Sequence, residues 1–292
     1  MANDDKYPVE SDRRRFVKGV VGGSVLSGML TTGAVAVSSA TAPSSGGGGF
    51  VNYFGAERTA GPAPRGLPQI PIEIDDDGQL LGIWPEPETQ TLPDGSEFTE
   101  ASMELGGIEY TTEWYQYCGV QTFGGIKPDA DGEDQVLRYD AGSYDWMSDV
   151  ENGDPMLTEH FEDYDEWTND IGEPGQGKPA TGTWRSQNVP PEQTVPILVI
   201  KTDQLDVDSM DDATREWVEA SCPEDEDGGR YLGYVNKCTH FCCAPGYRTL
   251  DDAAAFGAAN EIYCNCHNSV YKPFNIIEQQ FVALPRPAGD DE

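Results

Sequence analysis

Two of the three histidines in this 292-residue chain fall inside one cysteine pattern: Cys238-Thr-His240-Phe-Cys242-Cys243, then Cys264-Asn-Cys266-His267. Cys-x-His followed by Cys-x-x-His offers two thiolates and two imidazoles. Thiolates are soft, anionic ligands suited to iron that cycles between ferric and ferrous states, and neutral imidazoles remove negative charge and ease reduction. A [2Fe–2S] cluster can then carry both cysteines on one iron and both histidines on the other, a ligation that sets the potential at roughly −150 to +300 mV. Two cysteines and two histidines also make a zinc set, but zinc fingers pair cysteine with cysteine and histidine with histidine. Here each pair is mixed, and further cysteines stand beside it.

The segments CTHFCC and CNCHNSVY resemble the two boxes of the Rieske iron–sulfur proteins of cytochrome bc1 and b6f complexes. The resemblance covers about 35 residues, Cys238 to Tyr271. It implies Cys238, His240, Cys264 and His267 as cluster ligands, a Cys243–Cys266 disulfide between the two loops, and Ser269 and Tyr271 as donors to a cluster sulfide and a ligand thiolate. Such donors stabilise the reduced cluster and raise its potential. The usual Leu-Gly of the first box is Phe241-Cys242 here, so by residue type Cys242 or Cys243 could make the bridge; family register favours Cys243. Asn265 and Asn268 replace the Pro and Gly of the second box, and Asn tolerates the left-handed backbone that such a turn requires. Twenty residues separate Cys243 from Cys264, which suggests an inserted surface loop around Leu250–Asn260. The family's Gly-Pro-rich shielding loop has a counterpart only in Leu284-Pro285-Arg286-Pro287.

The resemblance implies one [2Fe–2S] cluster in the Rieske subunit of a membrane quinol-oxidising complex. Quinol would hydrogen-bond to the imidazole of His267 or His240, with His267 favoured. The partners would be a cytochrome b-like membrane subunit and a blue-copper or c-type haem acceptor. Two rivals share the pattern: an electron-transfer subunit of an exported oxidoreductase, such as arsenite oxidase or a nitrate-reducing assembly, and an exported zinc-stapled structural module. An oxygenase component needs a separate two-His-one-carboxylate iron site. Only His160, alone in an acidic stretch and read as a surface residue, is left to build one.

Asp12-Arg13-Arg14-Arg15-Phe16-Val17-Lys18 follows the twin-arginine export pattern, and no charge appears between Lys18 and Glu57. The run Val20–Ala42 suffices for a membrane span of about 20 residues. Ala-Thr-Ala at 40–42 resembles a signal cleavage site, but an uncleaved anchor is favoured, with the main domain on the extracytoplasmic face. The expected organisation is a leader over 1–18, an anchor over 19–42, a flexible tether over 43–66 starting with Pro43–Gly49, a Rieske domain over 67–288 and a tail at 289–292. An exterior location also tolerates a disulfide. Whether Cys118 and Cys222 pair is left open.

Lys plus Arg total 18 against 52 acids, a formal charge of −34. Nothing on such a surface would neutralise phosphates, which excludes nucleic acid as a partner. Self-repulsion of this size is relieved at molar salt, where the Debye length is about 3 Å, so the composition reads as adaptation to a highly saline medium. An acidic insertion spans about 85–190. Trp114, Tyr139, Tyr144, Trp146, Phe161, Tyr164, Trp167 and Trp184 make it a folded, loop-rich unit rather than a solvated tail.

The elements that must position the boxes read as short strands, giving an all-β fold of stacked antiparallel sheets with two cluster-binding loops and an N-terminal transmembrane helix. Gln69–Ile74 alternates, turns at Asp75–Gly78 and returns over Gln79–Trp84. Val195–Ile200 is a buried strand. Tyr231–Asn236 leads into the first box, Glu261–Tyr263 into the second, and Asn275–Leu284 closes the sheet. One helix is expected, capped by Ser209 with Asp212 three residues on, burying Met210, Ala213, Trp217 and Val218 and ending before Pro223.

Overall fold

A computed structural model describes residues 49–91, 95, 97–116, 134–189 and 194–283, all within one compact unit spanning Pro43–Glu292. The leader, the anchor and the first tether residues lie outside the described residues. So do Cys118 and Leu284–Pro287. Among the described residues, no helix is long and apolar enough to cross a membrane.

Val195–Thr202 carries the run Val-Pro-Ile-Leu-Val-Ile, β-branched and apolar on both faces, and forms strand β10 at the heart of the largest sheet, with Ile197, Leu198, Val199 and Ile200 fully buried. A strand buried on both faces reads as a continuous hydrophobic run rather than an alternation. It pairs with β9 (Lys178–Trp184) on one side and β11 (Arg230–Val235) on the other. The sheet's other members are β1 (Gly49–Ala60), β2 (Leu67–Ile70), β8 (Arg138–Tyr139), β12 (Gly246–Tyr247), β13 (Ile262–Cys264) and β14 (Ser269–Ala283). Among the described residues the sheet has nine strands in the order β12-β13-β14-β1-β2-β11-β10-β9-β8, and every pairing is antiparallel. Two smaller sheets are β3 (Ile72–Ile74) with β4 (Leu80–Gly82), and β5 (Pro87–Thr91), β6 (Glu97–Leu105) and β7 (Ile108–Thr111). The chain is mostly β and antiparallel, as expected.

Three expectations need correction. The tether expected over 43–66 stops at Gly49, where β1 begins and zips against β14 from Gly49↔Ala283 to Ala60↔Val270. The strand expected over Gln69–Ile74 divides at Pro71 into β2 and β3, since proline has no amide to continue a ladder. The turn after it is present, with Asp75 Oδ1 accepting from the amides of Asp77 and Gln79. The helix, α1, runs Asp212–Ser221 and is capped by Asp211, whose carboxylate accepts from the amides of Ala213 and Thr214. Ser209 instead donates to the Asp206 carbonyl, and Thr214 rather than Ala213 is buried beside Trp217 and Val218. The acidic insertion lies within the same sheet, to which it contributes β8 and β9.

The aromatic residues of that insertion are its core. Trp114, Tyr139, Phe161 and Trp184 are almost fully buried. Phe54 of β1 stacks on Trp217 of α1 at 5.3 Å, and Trp114 lies 4.9 Å from the same indole. Among the cations taken into this apolar interior, Lys201 has its Nζ 2.9 Å from Asp225 Oδ2 and 2.6 Å from Asp227 Oδ2, flanked by the rings of Tyr164 and Tyr231. Burial pushes the Asp225 carboxyl up, but hydrogen bonds from Lys201, the Glu226 amide and Tyr231 win, and its pKa is lowered. A contact pair shielded from solvent keeps its attraction in salt that screens the rest of the surface. Replacing Lys201 by Ala leaves two adjacent carboxylates without their cation; guanidinium unfolding at molar salt is expected to show a loss of about 3 kcal/mol.

Candidate metal centre

The two boxes are loops at the ends of strands. β11 delivers Asn236, Lys237 and Cys238. The chain then turns so that the Cys242 amide donates to the Cys238 carbonyl at 3.1 Å and the Cys238 amide donates to the Cys243 carbonyl at 2.8 Å. Closing this turn puts Cys242 in the left-handed region at φ 65°. The second box is the β13–β14 hairpin, in which Cys264 pairs with Ser269 across residues 265–268. Asn268 makes the expected left-handed corner at φ 58°, and its Oδ1 accepts from the Tyr263 hydroxyl at 2.6 Å.

The loops converge by type of donor. The Cys238 and Cys264 thiols share a hydrogen bond and are both buried. Each sulfur also accepts from two amides of its own loop: His240 and Phe241 donate to Cys238, Cys266 and His267 to Cys264. The imidazoles of His240 and His267 lie with centroids 4.7 Å apart, nearly perpendicular. His240 Nδ1 is buried without a hydrogen-bond partner. A buried polar atom left in that state is costly unless another ligand completes it. His267 is exposed.

Hydrogen bonding from the neighbouring Cys264 thiol, aided by Tyr271 and the two amides, holds the Cys238 thiol well below its ordinary value despite burial. The same contact, with burial, pushes the Cys264 thiol up. Tyr271 Oη stands 3.1 Å from Cys238 Sγ and 3.5 Å from Thr239 Oγ1. Thr239 already donates to the Arg65 carbonyl at 2.6 Å, so its oxygen is available only as an acceptor. Burial and the adjacent Cys238 sulfur raise the phenol's pKa, so Tyr271 keeps the proton it can donate to that sulfur.

Cys243 and Cys266 form a disulfide, so family register chose the right partner and Cys242 is left as an exposed free thiol. The sulfurs of Cys243, Cys264 and Cys266 lie within 4.8 Å of one another. Two of the three are spent in the bridge, so that grouping locates the disulfide beside Cys264 rather than forming a ligand set of its own. Cys222 is a free buried thiol that accepts from Gln69 Nε2 at 3.3 Å, and burial pushes it up to about 11. His160 is not a bare surface residue: its Nδ1 is 3.0 Å from the buried Tyr139 hydroxyl.

One element of the site was missed in the sequence, although two glycines and two prolines in six residues could have signalled it. Gly61-Pro-Ala-Pro-Arg-Gly66 crosses between β1 and β2 and ties both boxes together. The Ala63 amide donates to Ser269 Oγ at 3.3 Å, and the Arg65 carbonyl takes the Thr239 hydroxyl. With its oxygen accepting from Ala63, Ser269 has its own proton to give elsewhere. Gly61 (φ 82°) approaches so closely that a Cβ there would stand 2.4 Å from Ser269 Cα.

The connection between the boxes is likewise held. Arg248, 1% exposed, donates from Nε to the Ile171 carbonyl and from Nη2 to Thr168 Oγ1 at 3.3 Å, while Asn169 Nδ2 donates to the Arg248 carbonyl. The Glu173 amide donates to Asn260 Oδ1 at 2.8 Å. The loop expected around Leu250–Asn260 is a 3-10 turn over Asp251–Phe256, with Phe256 stacked on Tyr263 at 5.3 Å. No family model, curated protein or solved structure matches this chain.

Two outcomes follow. Gly61→Ala puts a methyl against the Asn268–Ser269 backbone and should cost about 2–3 kcal/mol in thermal or guanidinium unfolding. Glu261, just ahead of β13, has its carboxyl pushed up to about 7 by burial, with Glu57 adding to the rise and Lys272 opposing it. A raised folded value means stability present below the unfolded pKa and lost as pH rises through about 7. The stability of Glu261→Gln relative to the native chain should therefore climb between pH 5 and pH 8, by about 1–2 kcal/mol after allowance for partial exposure.

Proposed function

We propose that this chain is a Rieske-type [2Fe–2S] protein that serves as the electron-transfer subunit of a membrane quinol-oxidising complex. The observation that supports the proposal is the pairing of like donors: two thiols in hydrogen-bond contact, two imidazoles in ring contact, and His240 Nδ1 buried and unpartnered. Four such donors fit a cluster with cysteines on one iron and histidines on the other. Cys238 and Cys264 would hold the sulfur-ligated iron, His240 and His267 the other. The stacked-sheet arrangement of that family is part of the same proposal.

When bound, the cluster supplies one-electron acceptance and donation. The chain's own residues do the rest. The four loop amides and Tyr271 direct positive dipoles at the two ligand sulfurs, which favours the more negative, reduced form. Ser269, with its oxygen accepting from Ala63, has a proton to donate toward the sulfide side. The Gly61–Gly66 strap hydrogen-bonds to Thr239 of one loop and Ser269 of the other. His267 is exposed, so its free ring nitrogen can accept the hydrogen bond, and then the proton, of a quinol hydroxyl. The N-terminal twin-arginine pattern and apolar run support an extracytoplasmic domain on a single anchor, next to a cytochrome b-like partner. A blue-copper protein or c-type haem would take the electron on.

Visible absorption and low-temperature electron spin resonance of the purified chain test this directly. A coloured protein with a low-average-g signal on reduction is expected; a colourless protein with one bound zinc overturns the proposal. Tyr271→Phe should keep the cluster and lower its potential. A charge-assisted hydrogen bond of about 1.5 kcal/mol corresponds to about 65 mV for one electron. An unmoved potential removes Tyr271 from the tuning role.

A further inference from the structure

Phe241 stands where the resembling family carries Leu, and its ring contacts both imidazoles. Its centroid is 4.1 Å from that of His240 and 5.3 Å from that of His267, and its side chain is 65% exposed. An aromatic ring so exposed, on a chain whose surface is otherwise dominated by carboxylates, has little apolar packing to explain it. Its direction is set from below. The Phe241 amide donates to Cys238 Sγ, and the left-handed Cys242 closes the turn behind it, so the ring is held at the apex of the first loop. The two histidines beneath it are not equivalent. His240, in closer contact with the ring, is half-buried, while His267 on the neighbouring loop is exposed.

We propose that Phe241 is a positioning residue that screens the His240 imidazole and leaves His267 as the single histidine edge offered to a reductant. Two open imidazoles a few ångströms apart would give a quinol two competing hydrogen-bond acceptors and two orientations. A ring packed at a tilt against one of them removes that choice. The functional meaning rests on the quinol-oxidising reading; the screening itself rests only on the three rings.

Residue-resolved carbethoxylation of the full-length protein, read by peptide mass spectrometry, tests the screening. In the native chain His267 is expected to react much faster than His240. In Phe241→Ala the ratio of His240 to His267 labelling should rise about tenfold. Phe241→Leu and Phe241→Trp, which restore an apolar cover, should bring it back toward the native ratio. A change merely structural in origin would speed labelling at both histidines together and leave the ratio unmoved, which overturns the proposal. Equal labelling of both histidines in the native chain overturns it too. The visible spectrum of the same samples reports the cluster separately. A coloured Phe241→Ala with an unchanged ratio counts against the screen alone. A colourless native protein counts against the iron–sulfur reading, while the ratio still decides the role of Phe241.

Discussion

Two loops separated by twenty residues of sequence are held side by side, and much of the surrounding structure is bonded to one or the other. Loops of this kind lose conformational entropy when they are ordered, and their backbone polar groups need partners once buried. Three ties act on different flanks: the Cys243–Cys266 bridge, the Tyr271 hydroxyl against Cys238 Sγ, and the strap Gly61–Gly66 that grips Thr239 in one loop and Ser269 in the other. Because each tie joins different pairs of elements, no single local movement separates the boxes.

Strand pairing extends the same logic into the body. β14 pairs with β13 at its start and with β1 along its length, so the second loop is anchored by a long antiparallel ribbon. β1 then runs directly into the strap. The connection between the boxes is pinned from the acidic insertion, through Arg248 on Ile171 and Thr168 and through Asn260 on Glu173. The insertion therefore buttresses the candidate site as well as adding β8 and β9 to the sheet, a role its composition alone does not disclose.

Charge sets a second constraint. A chain of −34 has to keep its carboxylates hydrated and apart, and where one pair of them is brought together a buried lysine stands between them. The loops of the candidate centre contain no carboxylate from Lys237 to Leu250 or from Ile262 to Ile277. A negative site that gains an electron is easier to reduce without further anions nearby, so the composition of these loops and the chemistry proposed for them agree.

Much of this was legible in the chain itself. The mixed Cys/His spacing, the buried run Val195–Ile200, the tolerance of Asn268 for a left-handed corner and the aromatic core of the insertion follow from residue type and local pattern, whereas the Cys243–Cys266 bridge came from family register, since residue type left Cys242 open. Local rules were weaker where neighbours compete. Asp211 outdid Ser209 as a cap because its carboxylate reaches two amides, and Pro71 divided a strand that alternation alone would have continued. Only the tertiary structure decided that residues 61–66 close over both boxes, that β8 and β9 join the main sheet, and that Phe241 lies across the histidines. Those contacts join residues up to about two hundred positions apart, and spacing along a chain carries no information about which distant segments will meet.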